Sequence, residues 1–253
     1  AVSWCRVMKS SQAGGMIPRP ASRVLECNYG DCKDKTALLR ALLRAQDIDS
    51  YPVVVYSGDA SRVRPGWVSP SQFNHCILAI AVDDSISAPG VVTHPRLGRL
   101  LVFDPTNENT PPGWLAKEDL GGHALVLAGD RGELILLPTL APEQNRYERT
   151  IKARLSPGGS IAGTLTENFH GHSASGVREE RREASPTDYR RKIIGPWLGR
   201  TLPSPITGKL ETKDDFNDAR FSIDLEFHAA AYGKTMRDTL LVFKPVIVAR
   251  REN

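Results

Sequence analysis

Cys32, His75 and Asp104 are the residues of this chain whose types, order and surroundings suit nucleophilic chemistry. Cys32 follows a turn signal, Tyr29-Gly30, and a candidate N-cap, Asp31. It leads into Ala37-Leu38-Leu39-Arg40-Ala41-Leu42-Leu43-Arg44-Ala45, a stretch rich in strong helix formers. The pattern predicts a helix buried on most sides with Cys32 in its first turn. There the unpaired backbone N–H groups and the positive end of the helix dipole favour a thiolate over a thiol. His75 heads the apolar run Ile77-Leu78-Ala79-Ile80-Ala81-Val82, of strand length. Asp104 closes a second run, Leu100-Leu101-Val102-Phe103, just before Pro105, which cannot donate to a β-ladder. On adjacent antiparallel strands, Asp104 would hold one imidazole nitrogen while the other faces Cys32. That is the division of labour among nucleophile, base and orienter in a thiol triad.

The elements that must place these groups are an α/β mixture over 1–137. After the cysteine helix comes Tyr51-Pro52-Val53-Val54-Val55-Tyr56, a β-branched run. Residues 57–71 read as a loop punctuated by Pro65-Gly66-Trp67 and Ser69-Pro70, which delivers Phe73-Asn74-His75 to the site. Residues 83–98 read as an irregular insertion, 105–122 as a polar stretch rich in Pro and Gly, and 124–127 as a short closing strand. Residues 138–146 read as a linker. Beyond it, 147–155 and 161–166 form a hairpin around Pro157-Gly158-Gly159. Residues 173–199 form two helical pieces broken at Ser185-Pro186, and 221–227 and 240–248 return to strand. This gives a β-rich accessory domain over 147–253.

The chain has 253 residues, 40% hydrophobic and 25% charged, the balance of a globular protein long enough for two domains. The net charge of +4 is scattered and interleaved with acids, as in Arg178-Glu179-Glu180-Arg181-Arg182-Glu183. That pattern reads as a solvated helical face and argues against a nucleic-acid partner. No apolar stretch approaches the ~18 residues of a membrane span, and no signal peptide is visible. The four cysteines, at 5, 27, 32 and 76, fit no paired zinc spacing. Cys5 and Cys27 either pair or serve as small core residues. Cys76, next to His75, points to the opposite strand face and reads as core. His170 and His172 read as exposed loop residues without a third metal ligand. Asp34 reads as favouring the helix N-terminus. Asn74 and Trp67 are candidates to line a cleft, and Tyr29 is carried with them as a candidate substrate-binding residue.

The blocks Gly30-Asp31-Cys32-Lys33-Asp34-Lys35, Phe73-Asn74-His75 and Asp104-Pro105-Thr106, in that order, resemble the core of the transglutaminase-like superfamily, the papain-like Cys-His-Asp fold. Pro18-Arg19-Pro20-Ala21-Ser22-Arg23-Val24-Leu25 resembles the family's lead-in to the nucleophile helix. The resemblance spans roughly residues 15–128. It points to a bacterial subgroup that carries a β-sandwich before this core and a β-rich domain after it. It implies an α+β fold, a cysteine helix packed on an antiparallel sheet, with Cys32 as nucleophile, His75 as general base and acid, and Asp104 as orienter. The activity implied is cysteine-dependent acyl transfer on amide bonds, as a protease, amidase or transglutaminase acting on a peptide or protein through a thioester. The alternative is a catalytically silent peptide- or protein-binding module that keeps the fold. No cofactor or metal is expected, and the subgroup implies a periplasmic or secreted location. Residues 1–8 match the family's opening helix poorly, so the core is read as N-terminally shortened; the chain stops soon after its last expected strand, which leaves open whether the accessory domain is complete. Trp4 and Tyr29 are available as a second oxyanion donor.

Overall fold

A computed structural model describes residues 17–67, 69–237 and 239–249. The chain divides into two compact units, Ala1–Ala141 and Pro142–Asn253.

In the first unit, α1 (Ala21–Cys27) follows Pro20 and ends at Asn28, whose φ of 49° is left-handed. A short polar side chain tolerates that conformation better than most. α2 (Cys32–Arg44) follows three residues later. A six-stranded sheet then forms in the order β3-β4-β2-β1-β5-β6. Its strands are β1 (Ser50–Val55), β2 (His75–Ala81), β3 (Val91–His94), β4 (Gly98–Phe103), β5 (His123–Val126) and β6 (Glu133–Leu136). All neighbouring pairs are antiparallel. The unit is therefore a mixture of helices and antiparallel strands.

Strand alternation gives the sheet two different faces. Val53 and Val55 of β1, Ile77 and Ala79 of β2, Leu100 and Val102 of β4, and Ala124 and Val126 of β5 form one buried cluster with Leu115 and Leu137. On the other face, α2 packs against β1 and β2. Only the first half of α2 is covered: Asp34, Lys35, Thr36 and Leu38 are buried, whereas Arg40, Ala41, Leu42 and Arg44 are exposed. The expectation of a helix buried on most sides is thus corrected. Its C-terminal half borders a groove.

Two strands depart from the sequence reading. The insertion 83–98 contains β3, which turns back onto β4 through Gly98 at φ +77°. The ring of His94 accepts from the amides of Arg96 and Leu97 at 3.1 and 3.2 Å and so closes that turn. β6 follows the expected last strand and pairs with it from His123↔Leu136 to Val126↔Glu133.

The second unit holds a four-stranded antiparallel sheet in the order β7-β8-β10-β9 and the small hairpin β11-β12. These strands are β7 (Tyr147–Leu155), β8 (Ile161–His170), β9 (Ile206–Asp215), β10 (Arg220–Ala229), β11 (Lys234–Met236) and β12 (Leu240–Val242). Helix α3 (His172–Glu183) packs on β8 and β10. A helical run over 186–199 includes a π-helical segment, Tyr189–Ile194. Alternate residues of β8 and β10, including Leu165, Phe169, Phe221, Ile223 and Leu225, make the core with Val177, Trp197 and Leu198.

Several expectations change here. Of the strand expected at 240–248, only Leu240–Val242 is extended in a ladder. The carbonyls of Ile247 and Ala249 instead accept from Thr201 Oγ1 (2.8 Å) and Trp197 Nε1 (3.0 Å). Strand β9 fell in a segment without apolar alternation, and its residues are mostly exposed. Arg178 is not on a solvated face: it is 0% exposed, bonded to Asp214 at 2.8 Å and stacked on Phe216. His170 and His172 are half-buried, the first ending β8 and the second opening α3, and are not loop residues.

Candidate active site

The first turn of α2 is built to hold Cys32 in place. Asp31 is the N-cap; its side chain accepts from the Asp34 amide, and Asp34 reaches back to the Asp31 amide, a complete capping box. The Asp34 side chain also takes the Arg19 amide (2.7 Å) and guanidinium (2.9 Å). Asp34 is 2% exposed and its carboxyl is lowered from the ordinary range, because the bonds from Arg19 and Asp31 outweigh its burial. The lead-in Pro18-Arg19-Pro20 is thus tied to α2 by a salt bridge that residue patterns did not reveal. Gly30 is required by packing: a Cβ there would stand 2.7 Å from the Asp34 Cβ.

His75 opens β2, and Asp104 lies immediately past the end of β4, its antiparallel neighbour. His75 Nε2 and Asp104 Oδ2 are 3.0 Å apart. The other oxygen of Asp104 accepts from the Thr106 amide and hydroxyl, both at 2.7 Å. Burial opposes the charge on Asp104, but these bonds and the imidazole hold its carboxyl below the usual range. Burial likewise opposes a charged His75. The hydrogen bonds with Asp104 and Cys32 overcome it and raise the imidazole from 6.5 to about 10. Cys32 also faces burial, yet the hydrogen bond with His75 and one from the Cys76 amide lower its thiol. Both shifts run in the direction of a thiolate–imidazolium pair, with the Asp104 carboxylate beside the ring. Cys76 makes the contrast: burial pushes its thiol up to about 11, so it stays neutral.

A groove of about 930 Å³ runs from this pair between the exposed face of α2 and the sheet. Val54, Leu125 and Leu134 line it along the sheet, Cys76 and Cys32 both lie on its wall, and Trp67 and Asn74 come from the 57–74 loop. Lys33, Arg40, Arg44 and Arg64 also line it. Asn74 has a structural duty as well, exchanging hydrogen bonds with the Ser57 backbone at 2.7 and 3.1 Å. Cys76 is therefore not simply core. Tyr29 does not line the groove: its carbonyl accepts from Arg19 at 3.1 Å and its ring lies under the Arg19 guanidinium. That placement follows from the Arg19–Asp34 pair, which draws the arginine across Tyr29. Trp4, the other candidate oxyanion donor, and Cys5 lie outside the described residues. Cys27 is an exposed free thiol.

The sequence reading missed Asp119. It ends a short 3₁₀ turn (Lys117–Asp119) and is 2% exposed, yet among the described residues neither carboxylate oxygen has a hydrogen-bond partner. Lys117-Glu118-Asp119-Leu120-Gly121 looks like a solvated turn, and no pattern in it signals burial. His75, Asp104 and Asp119 offer ligand atoms within 4.8 Å of one another, and among the described residues this trio is the grouping that could hold a metal ion.

The geometry defines an α+β unit with a cysteine, a histidine and an aspartate linked at the mouth of an apolar groove. No family model, curated protein or solved structure matches the chain.

Proposed function

We propose that the first unit is a transglutaminase-like, papain-like core that carries out cysteine-dependent acyl transfer on an amide bond of a peptide or protein. The observation that carries this reading is His75, which holds Asp104 at 3.0 Å and lies close enough to Cys32 for each to shift the other's protonation towards the charged form. The Cys32 thiolate attacks the amide carbonyl, and the backbone N–H at the start of α2 faces the developing oxyanion. The tetrahedral intermediate collapses to a thioester as His75 gives its proton to the departing amine. Water, deprotonated by His75, then releases the acid; an amine in its place forms a new amide. The groove beside Cys32 supports an acyl portion with apolar side chains. The resemblance to an exported subgroup adds a periplasmic or secreted setting to this proposal.

The test is alkylation of Cys32 by iodoacetamide between pH 4 and 9, read by peptide mass spectrometry. Wild type is expected to label well below the free-thiol value of ~8.5. His75→Ala is expected to slow labelling at pH 6 by about tenfold or more, the equivalent of one pKa unit. Labelling that rises only near the free-thiol value, with no response to His75→Ala, would overturn the reading and favour a silent binding module. Once an amide substrate is found, Cys32→Ser is expected to reduce turnover by about 100-fold or more.

A further inference from the structure

We infer that Asp119 is a fourth member of the thiol site, a positioning residue whose carboxylate shares His75 with Asp104 and decides how firmly the imidazole keeps its proton. The inference rests on the acyl-transfer reading above and deepens it.

The two carboxylates are held differently. Asp104 has one oxygen on His75 and the other on the Thr106 amide and hydroxyl, so its acceptor capacity is used and its charge is fixed. Asp119 is also buried, but among the described residues both its oxygens lack a hydrogen-bond partner. A buried carboxylate in that condition is costly as an anion and readily takes a proton. It nonetheless lies within 4.8 Å of the ligand atoms of both His75 and Asp104.

The groups facing Asp119 are His75 from β2, Asp104 after β4, Glu118 on its own turn and the Ser57 hydroxyl after β1. Burial and the charge of Asp104 raise its carboxyl to about 6, with Glu118 adding to them. Ser57 and His75 pull the other way, the hydroxyl without reaching hydrogen-bond geometry. Asp104 therefore stays ionised across the working range, while Asp119 changes charge within it. Above that point two negative charges hold the imidazolium; below it, one does. The consequence is chemical. An imidazole held by Asp104 alone releases its proton to a leaving amine more readily, and one held by both retains it to higher pH.

The experiment follows the ring resonances of His75 by NMR from pH 4 to 11 in the full chain, with and without EDTA. His75→Ala supplies the assignment. Wild type is expected to show a perturbation near pH 6, the titration of Asp119, before the imidazolium itself titrates. Asp119→Asn is expected to abolish the first step and bring the second down by about 1–3 pH units, the range for an opposite charge at this distance. Ser57→Ala keeps the carboxyl and should move the first step upward, so it serves should Asp119→Asn not fold.

Cys32 alkylation on the same samples separates two failures. If labelling depends on His75 but its titration ignores both Asp119→Asn and Ser57→Ala, the inference is wrong and acyl transfer stands. If labelling ignores His75→Ala, acyl transfer falls, and Asp119 has no thiol to serve. A first step that appears only when EDTA is added would assign the carboxylate to a cation and overturn the proton role.

Discussion

Asp119 is a single side chain whose burial beside Asp104 weakens the fold at neutral pH. Its carboxyl titrates at 3.8 in an ordinary setting and at about 6 here. The raised value means that the neutral form stabilises the folded state fully below 3.8, and that this contribution is lost as pH rises through about 6. At neutral pH the folded protein carries a buried anion whose attraction to His75 does not make up for its burial beside Asp104. Asp119→Asn should therefore raise stability at pH 7 by up to about 3 kcal/mol and by much less at pH 4, measured by urea unfolding at both values. Equal effects at the two pH values would show that packing, not charge, governs the position. His75 behaves oppositely to a buried neutral histidine. Its imidazolium contributes stability that is complete below 6.5 and lost as pH rises through about 10. The same burial that raises Asp119 is overcome at His75 because hydrogen bonds to Asp104 and Cys32 meet it on two sides.

At the scale of elements, the site depends on where α2 begins. Asp31 has two effects that substitution can separate. Its side chain caps the helix, and its charge opposes the Cys32 thiolate. Asp31→Ala should destabilise by about 0.5–2 kcal/mol through loss of the cap. Asp31→Asn keeps an acceptor oxygen and removes the charge, so it should leave stability nearly unchanged while speeding Cys32 alkylation at pH 5. Thermal melts and labelling rates on the two variants check both parts. Much of this element-level arrangement was legible from residue order. Gly30-Asp31-Cys32 announced a capped helix start, and apolar runs meeting His75 and Asp104 announced strands that end at a site. What was illegible depended on contacts far apart in sequence. Arg19 meets Asp34 across 15 residues, and Asp119 lies beside His75 and Asp104, which are distant from it in sequence. β3 and β9 carry too little apolar alternation to declare themselves. That Tyr29 stands outside the groove lining is equally hidden, because adjacency to Cys32 in sequence says nothing of the arginine that covers its ring.

The whole molecule is organised as two cores that share no residue, one built on the six-stranded sheet and one on the four-stranded sheet. Within the second, charged side chains are enclosed as well as apolar ones: Arg178 bonds Asp214, and Arg149 bonds Glu167 at 2.8 Å. Such pairs are strongly destabilising to break and weak as net stabilisers, so apolar packing must supply most of that unit's stability. Leu198, 0% exposed among Phe, Ile and Val side chains, is the sharper probe. Leu198→Ala should remove about 2–5 kcal/mol from the second unit. Because the first core contains none of the same residues, calorimetry should show one transition moving down while the transition that releases Cys32 stays in place, followed by thiol labelling during the melt. If both transitions moved together, the two cores would be one cooperative unit, and the thiol site would depend on the accessory sheet for its stability as well as on its own.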